Sequence, residues 1–413
     1  MSGQGNDAFH TGLAVGGAPE VTAVKWLPRD GAELPHYVNP APFDPVAAET
    51  LSPAQERIYL ASQWQLMWWK LRRHKLAVAS AAFLAFIYVV ALFAEWVAPY
   101  NYQSRHIDHI HAPPQAIHLF HKGQFIGPFV YGYDYRLDMD TMRRVYTPNR
   151  DKVQPLRFFC LGDGYELWGL AQARFHLVCP AVGGHAFLLG TDEIGHDLLS
   201  RIVQGARVSM TIGLLGVLTS IVLGVVLGGL AGYYGGIFDT ILQRLMEVLQ
   251  SLPTIPLWLS IAAIIPITWS PLAVYMMITV ILGLVEWTGL ARAVRSKLLS
   301  LREEDYVLAA QLSGAGTARV VGLHLVPGFS SHLIAASSLT IPTMILGETA
   351  LSFLGLGLRP PITSWGVLLT EAQNINVVAL YPWLMLPVVP VILVVLAFNF
   401  LGDGLRDAAD PYK

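Results

Sequence analysis

Uncharged stretches dominate the hydrophobic pattern of this 413-residue chain and predict where its helices lie. Five of them carry no Asp, Glu, Lys or Arg: residues 76–94, 208–238, 248–285, 325–347 and 372–402. The hydrocarbon core of a bilayer is about 30 Å thick, and a helix needs about 20 apolar residues to cross it. Each stretch reaches or nearly reaches that length, so the pattern predicts membrane-spanning helices.

The third stretch is about twice as long as one crossing requires. It is interrupted by Pro266-Ile267-Thr268-Trp269-Ser270-Pro271, which predicts a tight turn between two helices. The chain is therefore expected to contain six spans, over residues 76–98, 208–232, 239–265, 272–292, 331–353 and 379–402.

Lys and Arg cluster next to two of these spans and predict their orientation, because cytoplasmic loops are rich in basic residues. With six spans, both clusters fall on the side that also holds the two termini, which is therefore predicted to be cytoplasmic. The clusters are Lys70, Arg72, Arg73 and Lys75 before the first span, and Arg292, Arg295, Lys297 and Arg302 after the fourth.

The domains follow from these spans. Residues 1–63 are rich in Gly, Pro and Ala and are expected to form a mostly disordered cytoplasmic tail. Residues 64–98 hold an aromatic and basic segment and the first span. This segment is either a helix in the headgroup region or simply the start of the span. The rest divides into an extracytoplasmic loop domain (99–207), a five-helix core (208–402) with a loop at 300–327, and a cytoplasmic C-terminal tail (403–413).

The extracytoplasmic segment is expected to be a small β-rich cap. Residues 125–135 and 157–160 are typical of strands, and the glycines at 162–164 and 183–184 indicate turns. Cys160 and Cys179 both lie in this segment, on the oxidising side of the membrane. They either form a disulfide or remain two separate buried thiols.

Composition excludes several classes of protein. Hydrophobic residues make up 54% of the chain, charged residues 14%, and the formal net charge is −2. These values argue against a disordered chain and against nucleic-acid binding. Phosphate-loop, H-E-x-x-H and G-x-S-x-G motifs are all missing, so neither ATP hydrolysis nor a catalytic site is expected in this chain. The cap segment also contains five histidines: His106, His109, His111, His118 and His121. They either bind a metal or are solvated loop residues, and their spacing matches no recognised set of metal ligands.

The loop at 300–327 carries the most informative local pattern. Ser300 and Glu303 fit a capping box, which predicts the start of a helix. Ala309 and Ala310 leave a shallow surface, and Gly314 is expected to end the helix. Such a short, tightly held helix could fill a groove on a partner protein, or it could be a plain amphipathic connector.

These residues resemble a motif of a known protein family. Ala309-Ala310-x-x-x-Gly314, closed by Pro327, resembles the "EAA" loop of ABC-transporter permease subunits. Further motifs resemble the C-type permease of the dipeptide/oligopeptide importers, over about residues 64–413. They are Leu189-Gly-Thr-Asp192-Glu-Ile-Gly-His196-Asp197-Leu-Leu-Ser-Arg201, Asp239-x-x-x-x-Arg244-x-x-Glu247-x-x-x-x-x-Pro253, and Glu348-Thr-Ala-Leu-Ser-Phe-Leu-Gly-Leu-Gly357 followed by Pro360-Pro361 and Trp365-Gly366.

The resemblance implies an all-α fold of six spans, the type I ABC importer permease fold, in the bacterial plasma (inner) membrane. It also implies three kinds of protein partner: a second, B-type permease, two ATPase subunits that bind ATP and Mg, and an extracytoplasmic substrate-binding protein. Membrane lipid surrounds the assembly. No cofactor or metal is expected in this chain itself. Contact with the ATPases is assigned to Glu304, Tyr306, Ala309, Ala310, Ser313 and Gly314.

Three positions depart from the family pattern: Leu308 replaces a Glu, His196 stands where Arg is common, and Glu247 where Asp is common. The long loop between the first two spans leaves the substrate open, with oligosaccharides or opines as alternatives to peptides. A secondary transporter without ATPase partners is the alternative from another class, although it would be expected to show internal repeats.

Four ionisable residues in or near the spans are predicted to be structural or gating. Glu286 and Glu348 lie in or beside apolar stretches, where a charge is costly and usually has a role. Glu348 is interpreted as structural or gating in preference to contacting substrate, and Glu286 is predicted to pair with Arg292. Arg244 and Glu247, three residues apart, are predicted to form an ion pair near the cytoplasmic interface.

Overall fold

The computed structural model describes residues 24–25, 37–38 and 60–409. The chain divides into two compact units, residues 1–61 and 62–413. In the first unit, Val24–Lys25 (β1) pairs with Tyr37–Val38 (β2) in antiparallel fashion. Most of the predicted disordered tail, 1–63, lies outside the described residues, and so do residues 410–413 of the predicted C-terminal tail.

Helices dominate the second unit, as the uncharged stretches predict. Those that carry the spans are α2 (Lys75–Leu92), α4 (Leu198–Tyr234), α5 (Gly236–Ser251), α6 (Thr254–Ala262), α7 (Pro271–Leu301), α11 (Ser330–Phe353) and α14 (Val388–Ala409). The shorter helices are α1 (Gln63–Arg73), α3 (Ala94–Val97), α8 (Asp305–Leu312), α9 (Thr317–Arg319), α10 (Val326–Gly328), α12 (Trp365–Leu368) and α13 (Ile375–Leu380). Three 3-10 turns (Ile107–His109, Leu369–Gln373, Pro382–Met385) and a π-helical turn (Val320–Leu325) complete the helical elements of the described ranges.

Among residues 60–409, five helices are long and apolar enough to cross a membrane, and there are six spans if α5 and α6 count as one. The α5–α6 pair bends by 91°, so the span predicted over 239–265 is divided into two helices and is not one straight helix. The bend falls at Leu252 and Pro253, because proline has no N–H to continue the helical ladder. The turn predicted at 266–271 is confirmed, since α7 begins at its last residue.

Other span ends also differ from the prediction. Helix α4 begins at Leu198 and not at 208, because Asp197 caps it by accepting a hydrogen bond from the Ser200 N–H at 2.8 Å. Helix α14 runs from Val388 through Ala409, so most of the predicted tail at 403–413 is helical. Its last turns pack against α1, and this packing extends the helix.

The aromatic and basic segment is a helix of its own. Helix α1 opens with a complete capping box between Ser62 and Gln65 and ends at His74. The His74 side chain then caps α2, its Nδ1 accepting from the Ala77 N–H at 3.2 Å. The alternative that this segment is merely the start of the first span is therefore wrong.

The cap contains two small antiparallel sheets, as the strand pattern predicts. Strands β3 (His118–His121), β4 (Gln124–Asp138) and β5 (Arg143–Pro155) form one, and β6 (Arg157–Leu167) and β7 (Ala171–Cys179) form a hairpin. The turn predicted at 162–164 is wrong, because these residues lie inside β6 where its register with β7 shifts. The turn at 183–184 is confirmed by a hydrogen bond from the Gly184 N–H to the Ala181 carbonyl. A disulfide joins Cys160 to Cys179 across the hairpin.

The spans pack closely through glycines, as expected for membrane helices. A Cβ added to Gly224 of α4 would lie 2.9 Å from the Leu290 side chain of α7. A Cβ on Gly213 would lie 2.9 Å from the Ile345 side chain of α11. Helix α4 therefore lies at the centre, with its glycines facing α7 on one side and α11 on the other.

Candidate functional site

The short helix α8 lies at the cytoplasmic end of the predicted topology, between α7 and α9. The capping box predicted at Ser300 and Glu303 is wrong, because α7 continues through Leu301 and the Arg302 N–H still bonds to the Leu298 carbonyl. Helix α8 begins at Asp305, and the Glu304 side chain makes no capping hydrogen bond. The buried Leu298 holds α7 in the core here, so tertiary packing overrides the local signal.

The end of α8 agrees with the prediction. Gly314 has a positive φ of 82°, a conformation that favours glycine. Its N–H bonds to the Gln311 carbonyl at 2.9 Å, and the Ala315 N–H bonds to the Ala310 carbonyl at 3.0 Å. This pair of bonds is a Schellman motif. No atom lies within 4 Å of a Cβ placed on Gly314, so the backbone conformation, and not crowding, requires glycine there.

One residue anchors α8 and most of the others are exposed. Val307 is completely buried among Val294, Leu298, Val320, Leu325 and Phe329. Tyr306 and Leu308 are each 45% exposed and Leu312 is 91% exposed. The residues assigned to ATPase contact share this face: Glu304, Tyr306, Ala309, Ser313 and Gly314 are exposed, and Ala310 is half-buried. Helix α8 therefore exposes both of its leucines, and the assignment of this face to ATPase contact stays a prediction.

Side-chain contacts tie α8 and its neighbours to the spans. Gln311 donates to the Tyr233 hydroxyl at 3.2 Å, and the Tyr234 hydroxyl donates to Thr317 at 3.2 Å. Arg295 of α7 forms a two-pronged ion pair with Asp239 of α5. These contacts connect α8 to the ends of α4 and α7, and α7 in turn to α5. Sequence reasoning placed Asp239 in a motif but did not find its partner.

Arg244 and Glu247 lie together on α5, with 2.7 Å between the guanidinium and the carboxylate. Their side chains are 78% and 52% exposed. Exposed pairs of this kind contribute about 0–1 kcal/mol. The pair therefore adds little stability, and its structural or gating role stays a prediction.

Glu348 is fully buried in α11 and connects several elements. Its carboxylate accepts hydrogen bonds from Ser209 of α4 at 3.0 Å and from Ser352 at 2.8 Å. The Ser209 hydroxyl also accepts a hydrogen bond from the Trp365 N–H, and the Ser352 hydroxyl accepts one from the Leu358 N–H. The carboxylate thus lies at the centre of a network that joins α4, α11 and the loop after α11. This position agrees with a structural role more than with substrate contact.

Glu286 does not pair with Arg292, so that prediction is wrong. Six residues of α-helix correspond to a rotation of about 240° around the helix axis. Accordingly, Glu286 is half-buried whereas Arg292 is exposed. The pair would have required a spacing of three or four residues.

At the opposite end of the spans from α8, the loop before α4 is held by the buried Asp192. Its carboxylate accepts hydrogen bonds from the backbone N–H groups of Ile194 and His196. It also accepts hydrogen bonds from the His196 ring nitrogen, at 2.8 Å, and from the Arg201 guanidinium. Arg201 also lies 3.7 Å from Glu371 in the 3-10 turn. His196 therefore keeps a hydrogen bond at a position where the family often has Arg.

Glu371 gives this junction a pH dependence. Burial raises the pKa of Glu371 from 4.5 to about 7, and neighbouring Asp192 acts in the same direction. The folded state binds the proton more tightly than the unfolded state. The stabilisation of the folded state by protonated Glu371 is therefore fully present below pH 4.5 and is lost as the pH rises through 7.

We expect the melting temperature of the wild type to fall relative to that of Glu371→Gln as the pH rises from 5 to 7.5. Parallel curves would contradict this, and Glu166→Gln, at an exposed cap position, is the matched control.

A buried ion pair joins the first span to α4. The Arg207 guanidinium contacts both oxygens of Glu95, and it donates to the carbonyls of Ala91 at 2.9 Å and Leu92 at 3.1 Å. The ring of Trp168, from the turn of the cap hairpin, lies 4.2 Å from the same guanidinium. Sequence reasoning missed this pair, since its members lie 112 residues apart.

His176 fixes the same hairpin from β7. It is fully buried, and its ring nitrogens lie 2.6 Å from the Ala98 carbonyl oxygen and 2.8 Å from the Asp163 carbonyl oxygen. Ala98 follows the first span, whereas Asp163 lies in the irregular part of β6. The hairpin is therefore attached to the C-terminal end of the first span.

The first three cap histidines form part of an aromatic core. His106 and His109 each lie 5.1 Å from the Phe187 ring, His185 joins them, and His111 stacks on Tyr381 at 4.0 Å. Solvated loop histidines are therefore the wrong description of them. Burial lowers the pKa of His109 to about 4. Within the described part of the chain, no group of three or more His, Cys, Asp or Glu could hold a metal ion.

A cleft of about 1020 Å³ opens between the cap hairpin and the start of α4. Its lining includes Glu166 and Arg174 together with the amides of Gln172 and Gln204. Groups of both charges beside hydrogen-bonding amides could accept a polar ligand with charged ends.

Comparison with known proteins identifies the family to which this chain belongs. Residues 224–412 match the model of the family described as binding-protein-dependent transport system inner membrane component. Residues 62–114 match the N-terminal TM domain of oligopeptide transport permease C. The chain is 41% identical over 245 residues to the oligopeptide transport system permease protein OppC of Salmonella typhimurium, covering 59% of this chain and 76% of that protein. The chain belongs to this family of inner membrane transport components.

A second relative gives the same result. The di/tripeptide transport system permease protein DppC of Pseudomonas aeruginosa is 37% identical over 245 residues, covering 58% of this chain and 78% of that protein. A solved methionine ABC transporter, MetNI in inward-facing conformations, is 20% identical over 51% of this chain and 96% of that chain. Its TM-score is 0.40, too low to support an argument.

The resemblance to ABC permeases of the dipeptide/oligopeptide importers is thus confirmed, and the chain is a multi-pass membrane protein. Family membership argues against the secondary-transporter alternative. The two matched ranges leave out residues 115–223, which contain strands β3 to β7 and much of α4. Strands β3 to β7 of the cap and the first two thirds of α4 therefore lie outside both family models.

Proposed function

We propose that this chain is a permease subunit of an ATP-driven importer for dipeptides or oligopeptides, in the type I importer fold, with both termini cytoplasmic in the inner membrane. The observation that carries the proposal is the exposed face of α8 on a helix whose anchor, Val307, is completely buried. The relatives named for oligopeptide and di/tripeptide transport support the substrate class.

In this proposal the chain binds no nucleotide itself. Two partner ATPase subunits bind ATP and Mg, and one of them receives α8 in a groove on its surface. Because α8 is joined to α4 and α7 by buried and hydrogen-bonded contacts, ATPase movement displaces it as a rigid body. The spans then alternate between inward-open and outward-open states. Glu304, Tyr306, Ala309, Ala310, Ser313 and Gly314 form the contact.

The remaining partners follow from the same scheme. A B-type permease supplies the other half of the translocation path, and an extracytoplasmic binding protein delivers the substrate on the side of the cap. The enlarged cap keeps oligosaccharides and opines as alternative cargo within the same architecture.

Co-purification and transport test this function. The tagged chain, extracted in mild detergent from its own membranes, is expected to bring a second permease and two ATPases, identified by mass spectrometry. In proteoliposomes, the assembly with its binding protein should take up a labelled tripeptide only with ATP. A trisaccharide and an opine, tested in parallel, distinguish the alternative substrates. Uptake by the chain alone, driven by an ion gradient without ATP, would overturn the proposal.

A further inference from the structure

Helix α1 has a fixed position at the ends of two spans. Met67 and Leu71 are its buried residues, and they pack with Leu405, Ala408 and Ala409 at the end of α14. Only His74 separates α1 from α2. Because α1 is attached to the beginning of the first span and to the end of the last one, it lies at the level where both leave the bilayer.

The outward side of α1 is aromatic. Trp64, Trp68 and Trp69 are 49%, 51% and 39% exposed. Trp64 and Trp68 are four residues apart and therefore share one face of the helix. Tryptophan is enriched at membrane–water interfaces, where its ring meets the acyl boundary and its N–H meets the polar region.

The same segment is strongly basic. Residues 63–75 contain Lys70, Arg72, Arg73 and Lys75 and no Asp or Glu. The Arg72 guanidinium lies 4.8 Å from the centre of the Trp68 ring, so aromatic and cationic groups form one surface. Arg72, Arg73 and Lys75 are exposed. Basic clusters immediately cytoplasmic of a span attract anionic lipid headgroups.

We infer that the outer face of α1 binds anionic phospholipids of the cytoplasmic leaflet. The phosphate groups lie against Arg72 and Arg73 of α1 and against Lys75 at the start of α2, and the rings of Trp64 and Trp68 insert at the acyl boundary. A groove on a soluble protein would fit this surface less well, because the surface adjoins the first span directly and its buried side is already occupied by α14. The inference rests on the position of α1 and on the orientation proposed above, and not on the transported substrate.

Lipid retention tests the inference on the full chain. The protein is placed in nanodiscs that contain equal amounts of phosphatidylcholine and phosphatidylglycerol, and the lipids retained after release are counted by native mass spectrometry. Wild type is expected to retain phosphatidylglycerol in preference to phosphatidylcholine. The triple variant Arg72→Gln, Arg73→Gln, Lys75→Gln should lower that preference at least fivefold. Equal retention of the two lipids by wild type would overturn the inference.

Matched variants separate the alternatives. A triple variant at exposed cap positions, Arg105→Gln, Lys122→Gln, Arg136→Gln, removes the same charge on the opposite side and should keep the preference. The double variant Arg72→Lys, Arg73→Lys should also keep the lipid preference, because both positive charges remain. If the Lys and Gln variants lose the preference equally, the charge of these side chains does not hold the lipid and the inference is wrong. If the Gln variant keeps the lipid preference but loses a co-purifying protein, α1 is a protein-docking surface and the inference is wrong.

Discussion

Replacing Leu312 by Asp is expected to lower ATP-driven uptake at least tenfold without lowering the melting temperature of the chain. Leu312 is 91% exposed, so the substitution removes almost no contact inside the chain. In the proposed complex, the same side chain enters an apolar groove, where a carboxylate would be desolvated without a partner. A tenfold loss corresponds to about 1.4 kcal/mol, which is below the roughly 2 kcal/mol that marks a hot-spot side chain at a protein interface.

Uptake and ATPase stimulation should be measured in proteoliposomes with wild-type and variant assemblies at equal protein content. Leu312→Met is the matched control, because it keeps an apolar side chain of similar volume and should retain uptake. Normal uptake by the Asp variant would show that α8 does not use this face. A loss of uptake together with a lower melting temperature would instead indicate a folding defect.

The sequence predicts the number and approximate position of the spans, because an uncharged stretch of sufficient length leaves few alternatives. It does not predict where they end. Helix α4 continues ten residues beyond its uncharged stretch, since Arg201 and Arg207 are neutralised by Asp192 and Glu95. Residues remote in sequence make those charges tolerable, and no local pattern contains that information.

The candidate site divides in the same way. Gly314 identifies the end of α8 because a single backbone conformation at one residue decides it. The start of α8 is misjudged, because the Ser300 and Glu303 signal is overruled by the packing of Leu298. The exposed leucines of α8 give no signal either, since exposure depends on the whole fold. Leu308, which departs from the family pattern, is in fact part of the exposed face.

Replacing Glu95 by Ala is expected to destabilise the protein by about 3–5 kcal/mol, the usual cost of leaving one member of a buried ion pair alone. The side chains of Arg207 and Glu95 are 11% and 10% exposed, so little of the remaining guanidinium faces water in the folded chain. Trp168 packs on that guanidinium, so the cap hairpin should loosen together with the ends of the first two spans.

Two measurements check this expectation. Thermal unfolding in detergent should show a lower midpoint for Glu95→Ala, and limited proteolysis should cut the turn at residues 168–170 sooner than in wild type. The exposed Glu166, changed to Ala, is the control that should alter neither. Combining Glu95→Leu with Arg207→Met removes both charges and should recover most of the loss, because the penalty arises from the unpaired guanidinium and not from the missing attraction. A double variant as unstable as Glu95→Ala would show that the backbone hydrogen bonds from Arg207 to Ala91 and Leu92 hold this junction instead.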